Sequence, residues 1–412
     1  METVFDIVII GGGIIGVATA YNLQVTYPKL KILLLEKEME FAVHQTGHNS
    51  GVIHSGLYYK PGSKKAEYCV KGRQKLIEFA KNNNISYELC GKVVVATEAS
   101  ELPFMNKIFE NGLANNTDGI EKITADEVRD LEPFVECVAG IHVPSTGIVD
   151  YVAITMKMID LIKDINNNSK LLTGQNVVSF DHGNGYRNIH TKKEHFKAKK
   201  MIFCGGLQAD RLAKLDNVAL KEKIVGFRGD YFELTPQAKH KVKGLIYPVP
   251  DPKFPFLGVH FTKMINGEVE CGPNAVFSFK REGYNKTDFN FKDTFDALTY
   301  SGTWRLFMAN FSFGINEYRR AFSKQLYLKT LQRMIPSLTI DDLKPAKSGV
   351  RAQLLNERGS TKDDFRFEFT DDSIHVLNAP SPAATACLQI GEEVRIIAEK
   401  YFSLENILTE DA

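Results

Sequence analysis

The apolar positions of the chain open with an unbroken, β-branched run, FDIVII at 5–10, which predicts a strand buried on both faces. A glycine cluster follows, then a helical pattern over 14–26, then a second apolar run, KILLLEK at 31–37. The next stretch, HQTGHNSGVIHSGLYY at 44–59, breaks the rhythm. It is polar and glycine-rich, and only GVIHSG reads as a short strand. Helical patterns recur at 63–83, 100–113, 124–132 and 151–165, with a strand pair in SYELCGKVVVAT and a glycine turn in IHVPSTGIVDY. NVVSF reads as a strand, and KMIFCGGLQADRLAKL as strand, loop and helix. Residues 225–335 alternate strands with long aromatic helices. The tail brings SGVRAQL, a strand SIHVLNA and a final helix from about 383.

The glycines turn this pattern into chemistry. Gly11, Gly13 and Gly16 fit GxGxxG between strand and helix. The first permits a tight turn, the second lets backbone approach a pyrophosphate, and the third lets the helix pack on the strand. The helix N-terminus, with Ile14 and Ile15, then points at the phosphates. Glu36 closes the second strand 20 residues after Gly16. A carboxylate there hydrogen-bonds an adenosine ribose and disfavours a 2′-phosphate. Lys37 stands beside it. In the polar stretch Thr46, Asn49 and Ser50 supply donors for phosphate oxygens, and Gly47 and Gly51 permit close backbone approach. Gly205 and Gly206 follow a later strand and suggest another backbone approach, and Val177 in NVVSF joins the same set. The elements in register predict an α/β dinucleotide domain built from at least three separated segments.

Composition narrows the class. The chain has 412 residues, 43% of them hydrophobic, enough for two domains. A net charge of +1 shows no bias toward nucleic acid. No run approaches the roughly 18 apolar residues of a spanning helix. The first strand begins at Phe5, so the expectation is a chain that stays where it is made or one whose leader has been removed. Six scattered cysteines without a CxxC pair read as reduced thiols. His44 and His48 have the i, i+4 spacing of zinc ligands on a helix, but Gly47 and Gly51 argue against a helix there. No third ligand follows at metal spacing, so local hydrogen bonds are expected and no metal.

The chain resembles the D-amino-acid-oxidase superfamily of FAD enzymes from about residue 4 to 402. AVHQTGHNSGVIHSGLYYKPGS, TGIVDY, FRGDY, YPVPDPKFPFLGVHFT and HVLNAPSPAAT resemble the branch that oxidises L-2-hydroxyglutarate. The resemblance implies an α/β fold: a Rossmann-like FAD-binding domain from residues 1–90, 145–224 and 340–412, with an inserted substrate domain, 91–144 and 225–339, on a mostly antiparallel sheet. It implies oxidation of L-2-hydroxyglutarate to 2-oxoglutarate, hydride passing to flavin N5 while a histidine takes the hydroxyl proton. The electrons would then pass to a quinone or an electron-transfer flavoprotein. Mitochondrial members of this branch imply that location, with possible docking on the inner membrane. A sibling activity on a 2-amino acid or on glycerol 3-phosphate stays open.

The resemblance also ranks the reactive residues. His54 is the first candidate for the base beside the flavin; the alternatives are a flavin-positioning or a core histidine. His260, on a strand and sharing its face with Phe256, is the second candidate, or a histidine bonded to a neighbour. Arg351 matches the position where relatives hold a substrate carboxylate, which a planar fork does bidentately. Arg228 is a weaker candidate for the second carboxylate, or an ion pair with Asp230. Tyr247 closes the pocket or belongs to the core. Pro382, Ala383 and Ala384 precede a helix whose positive end faces the flavin in relatives. Residues 295–335 interleave aromatics with arginine and lysine, as either a lipid-facing surface or the substrate-domain core.

Overall fold

Four sheets share the chain among the described residues, and their topology explains why its nucleotide segments are scattered. The computed structural model describes residues 3–183, 185–250 and 258–404. In the first sheet Lys170–Leu172, Ile32–Leu35, Val4–Ile10, His195–Phe203 and Ser373–Asn378 run side by side in parallel. Antiparallel strands Val177–His182, Arg187–Thr191 and Arg366–Thr370 extend it. Both faces are covered, as the unbroken apolar runs require. Ile7, Ile9, Ile32 and Leu34 meet the helices Ile14–Thr26, Tyr151–Ile165 and Cys387–Phe402 on one side. Val8, Ile10, Leu33 and Leu35 pack with Ile189, Met201 and Phe203 on the other.

The turn from first strand to first helix admits only glycine at two places. Gly11 has φ +118°, and a Cβ there would lie 2.3 Å from the Cys204 carbonyl oxygen. A Cβ on Gly16 would lie 1.9 Å from the carbonyl oxygen of Gly11.

The second large sheet is antiparallel at every step except where Leu245–Pro248 runs parallel to Lys92–Ala96. It also holds His260–Lys263 and Val269–Gly272. Two three-stranded sheets link the large ones. One sets Lys223–Gly229 between Val276–Phe277 and Gly349–Leu355. The other joins Val52–Ile53, Gly147–Val149 and Tyr87–Glu88.

Three features differ from the sequence expectation. The final helix begins at Cys387 rather than 383, because Pro380 and Pro382 hold the chain in turns closed by Ala383 N to Pro380 O, 2.9 Å, and Ala386 N to Pro382 O, 3.0 Å. The long aromatic helices are four short ones, Phe291–Leu298, Ser301–Ala309, Phe311–Phe322 and Lys324–Leu331. They break where polar side chains compete for the backbone: Thr299 takes the Phe295 carbonyl, Asn310 takes that of Leu306, and Ser323 caps Leu326 N. The strands Leu343–Pro345 and Gly349–Leu355, expected back in the nucleotide domain, pair with Phe232–Leu234 and Lys223–Gly229. Residues 251–257 of YPVPDPKFPFLGVHFT, Phe256 among them, and 405–412 of the last segment lie outside the described residues.

The last helix crosses the first at very close range, since a Cβ on Gly391 would lie 2.5 Å from the Ala18 carbonyl oxygen. Gly391→Ala gains about 1 kcal/mol of helix propensity, but forcing two packed helices apart costs about 1–3 kcal/mol. The variant should therefore unfold at lower denaturant than the parent. An unchanged or higher midpoint would show that the two helices separate freely.

Candidate active site

A cleft of about 1610 Å³ runs from the glycine turn to the strands Leu245–Pro248 and His260–Lys263 inside the second sheet. Gly11, Gly13, Ile14, Ile15, Glu36, Lys37, Thr46, Asn49, Ser50, Val177, Gly205, Gly206, Pro382, Ala383 and Ala384 all line it. So do His54, His260, Arg351 and Tyr247, so residues from distant parts of the chain share one cavity. Gly16 and Gly51 stand behind the lining. Gly16 packs against Gly11, and Gly51 turns the chain with φ +65°.

The nucleotide end fits an adenosine diphosphate moiety. Glu36 is fixed by two backbone donors, Gly12 N to Oε2 at 2.7 Å and Glu38 N to Oε1 at 2.9 Å. The helix start has no side-chain cap on Gly13. Thr46 Oγ1 accepts from Ile14 N at 3.0 Å, so a hydroxyl already waits at the positive end of the helix. Asn49 departs from the donor role expected of it. Its amide donates to the Gln45 and Thr46 carbonyls and its oxygen accepts from Gly51 N, so it braces the loop.

Lys37 and the loop histidines tie this end to Glu282, Tyr284 and Ser348. Lys37 Nζ reaches Glu38 at 2.6 Å, Glu282 at 2.7 Å and His44 Nε2 at 3.0 Å. Glu38, His44 and Glu282 offer ligand atoms within 4.8 Å of one another, but the Lys37 ammonium lies against all three, where a metal ion would have to compete with it. His48 Nδ1 donates to the Ser348 carbonyl at 2.7 Å, and its ring stacks on Tyr284 with centroids 3.7 Å apart.

At the reacting end, His54 follows the short strand Val52–Ile53. Its backbone N–H donates to Thr385 Oγ1 at 3.1 Å, and Tyr151 Oη meets the same hydroxyl at 2.9 Å. Thr385 and Tyr151 were not singled out in the sequence, although both stand inside quoted motifs. Across the cleft, His260 Nδ1 lies 2.8 Å from the Gly258 carbonyl. A carbonyl only accepts, so Nδ1 carries the proton and Nε2 keeps its lone pair. The ring stacks on Tyr247 with centroids 3.9 Å apart. Burial, with the charge of Lys92 next, holds His54 down at about 3. Burial, opposed by the Gly258 hydrogen bond and reinforced by Arg351 and Lys92, brings His260 to about 3. Both imidazoles are therefore neutral at pH 7.

Arg351 sits on the strand Gly349–Leu355, and its charge is felt by His260, Tyr231 and Tyr247. Arg228 corrects the expectation. It lies outside the cleft lining, with Nε on Asp230 Oδ1 at 2.8 Å and Nη1 on the Asn285 carbonyl at 2.8 Å. Two buried charges two residues apart satisfy each other, which is the ion-pair alternative. Tyr58 and Tyr59 also line the cleft, and Lys92 lies behind Tyr58; all three escaped the sequence reading. The only signal for Lys92 was a lone charge opening the apolar run KVVVA.

Comparison with known proteins agrees with this geometry. The profile of the family described as FAD dependent oxidoreductase matches residues 6–395. An L-2-hydroxyglutarate dehydrogenase of Indibacter alkaliphilus is 45% identical, over 97% of this chain and 100% of its own. That of Escherichia coli is 44% identical over 95% and 92%, and the human mitochondrial one 41% over 97% and 90%. Among solved structures, FAD-bound L-α-glycerophosphate oxidase of Mycoplasma pneumoniae superposes with a TM-score of 0.77 at 24% identity, over 96% of this chain and 94% of its own. Glycine oxidase of Geobacillus kaustophilus does so at 0.70 and 13%, over 96% and 94%. At such identities the two structures speak for the fold alone. The chain belongs to the FAD-dependent oxidoreductases, and among them to the L-2-hydroxyglutarate dehydrogenase family.

Gly13 tests the nucleotide end directly. A Cβ there would meet only Thr46 Oγ1, at an ordinary 3.5 Å, so Gly13→Asp should fold. Its carboxylate would occupy and repel the pyrophosphate position. The expected product is a folded, colourless protein with no flavin absorbance after FAD incubation. Full FAD occupancy would show that the phosphates lie elsewhere.

Proposed function

We propose that this member of the family oxidises L-2-hydroxyglutarate to 2-oxoglutarate. The observation that carries the reading is the meeting of two neutral histidines and Arg351 in one cleft with a dinucleotide turn. FAD, when bound, supplies the acceptor that takes the hydride from C2 of the substrate. Gly11, Gly13, Glu36, Thr46, Gly205 and Ala383 would hold it. The Arg351 fork suits a substrate carboxylate, which it grips in two places. Nearby Lys65 spends its charge on Asp363, at 2.6 Å.

His260 takes the hydroxyl proton in this reading, because its tautomer is already set by Gly258. The two electrons leave C2 with the hydride, and the proton goes to Nε2. Substrate carboxylates arriving beside the ring raise its proton affinity, so a base that is weak in the empty cleft strengthens as the site fills. His54, anchored through its backbone to Thr385, holds the cofactor side. Anaerobic addition of L-2-hydroxyglutarate should bleach the flavin, while the D isomer, glycerol 3-phosphate and L-alanine should not. His260→Ala should slow that bleaching roughly 10²–10⁴-fold, with a smaller effect for His54→Ala. Slowing in the second variant alone would exchange the two roles. Bleaching by the amino acid or the glycerol phosphate instead would replace the substrate.

We also infer that the electrons leave at a membrane. Phe291, Phe295, Trp304, Met308, Phe311 and Phe322 are exposed side by side in the sequence of short helices, Phe291 by 74% and Phe322 by 71%. Tyr327 of the same stretch is fully buried, and Phe307 and Tyr318 pack inward, so the aromatics divide between core and surface. The acids here face inward: Asp293 and Asp296 pair with Arg211, Asp296 with Lys223, and Glu317 with Arg320. Lys292, Arg305, Arg319 and Lys329 face out. Exposed apolar side chains interleaved along the helices with outward cations fit an anionic lipid interface. Phe291 and Phe295 also line the cleft, which joins this surface to the flavin site. A quinone dissolved in that membrane is the acceptor this surface favours. Among the described residues no helix is long and apolar enough to cross a membrane. The protein should float with liposomes containing anionic lipid, less so with neutral ones or in high salt. Sedimentation in every condition would favour a soluble acceptor such as an electron-transfer flavoprotein.

A further inference from the structure

Lys92 opens the strand Lys92–Ala96 and is 3% exposed. Its ammonium lies 4.5 Å from the ring centroid of Tyr58 and 5.1 Å from that of Tyr247. Tyr247 in turn stacks on His260. Tyr58, Tyr247, His54 and His260 all line the cleft, so Lys92 stands one layer behind its wall. The groups that face it come from several elements: Tyr58 and His54 from the loop, the Cys69 thiol from the helix Lys64–Asn82, and Tyr247 and His260 from neighbouring strands. Arg351 and Lys65 add charge of the same sign on the two histidines. None of these is a carboxylate. Among the described residues no acid pairs with Lys92, and burial brings its ammonium down to about 7. An ammonium buried without an acid is costly, and two ring faces repay only part of the loss of water.

We propose that Lys92 is a further functional residue of this cleft: an ammonium held without a counter-ion behind the Tyr58–Tyr247 wall, whose field favours a bound carboxylate and disfavours a proton on either histidine. It touches no reacting atom and acts through the wall, as an electrostatic positioning residue. The inference rests on the reading that the cleft binds a carboxylate substrate.

Sign decides the test. The unfolded chain keeps the Lys92 proton up to its ordinary pKa, and the folded one sheds it near 7. The charge therefore weighs on the folded state fully below pH 7, and less as pH rises above it. In FAD-loaded protein, Lys92→Met should melt higher than the parent at pH 6, and the gain should shrink by pH 9. The same variant should bind glutarate and 2-oxoglutarate about 10- to 100-fold more weakly, read by perturbation of the flavin spectrum. Its acid limb for flavin reduction should move to higher pH, because a like charge has left the histidines. Lys92→Arg, which keeps the charge, should restore binding and the limb. A lower melting point at both pH values with binding and acid limb unmoved would make Lys92 a packing residue and overturn the proposal. Propionate separates the two readings. If the parent binds propionate but no dicarboxylate, the substrate assignment falls, and weaker propionate binding in Lys92→Met still supports the role of Lys92. If the parent binds no carboxylate at all, both fall.

Discussion

One buried hydroxyl ties the reacting end of the cleft together. Thr385 Oγ accepts the His54 N–H and meets Tyr151 Oη, and Tyr151 donates to the Val52 carbonyl at 2.8 Å. The chain of donors runs from residue 54 to 385 to 151 and back to 52, across three segments far apart in sequence. Thr385, Tyr151 and Val52 are buried, where each bond polarises the next and an unmade bond costs the full desolvation of its group. The short strand that presents His54 has only two residues of its own, so this network sets its position.

With that register held, the electrostatics of the cleft follow from burial and like charge. Lys92 acts on both histidines of the reacting end, and Arg351 on His260. Burial and like charge keep both rings neutral, which a proton acceptor requires. In the proposed reaction an arriving carboxylate would oppose that like charge and raise the proton affinity of the imidazole. Binding and base strength are thus coupled through the same few charges. The opposite end works by another rule: its acids, Glu38 and Glu282, both meet the Lys37 ammonium, so that clamp is locally compensated.

Much of this was legible in the residues. The strand–glycine–helix–strand–acid order has a fixed register, and its requirements are local: a positive φ at Gly11, contact at Gly16, a carboxylate at Glu36. The apolar runs named their own burial. The aromatic helices in 291–331 are shorter than their pattern suggests because Thr299, Asn310 and Ser323 break them through bonds that composition does not display. The start of the last helix was misjudged by a few residues, because prolines that suit a helix start also suit the turns before it.

By itself, then, the sequence determined the nucleotide-binding turn and the class of cofactor through its motifs, and most of the site residues it named line the cleft, since its motifs are set by neighbours in the chain. Only the tertiary structure decided which charges remain uncompensated. Arg228 and Lys92 look alike as cations on apolar strands, yet Asp230 neutralises the first and no acid among the described residues reaches the second. Pairing is a matter of a few ångströms between side chains from different strands. Only folding, which brings the strand of Lys92 beside that of Tyr247, sets those distances.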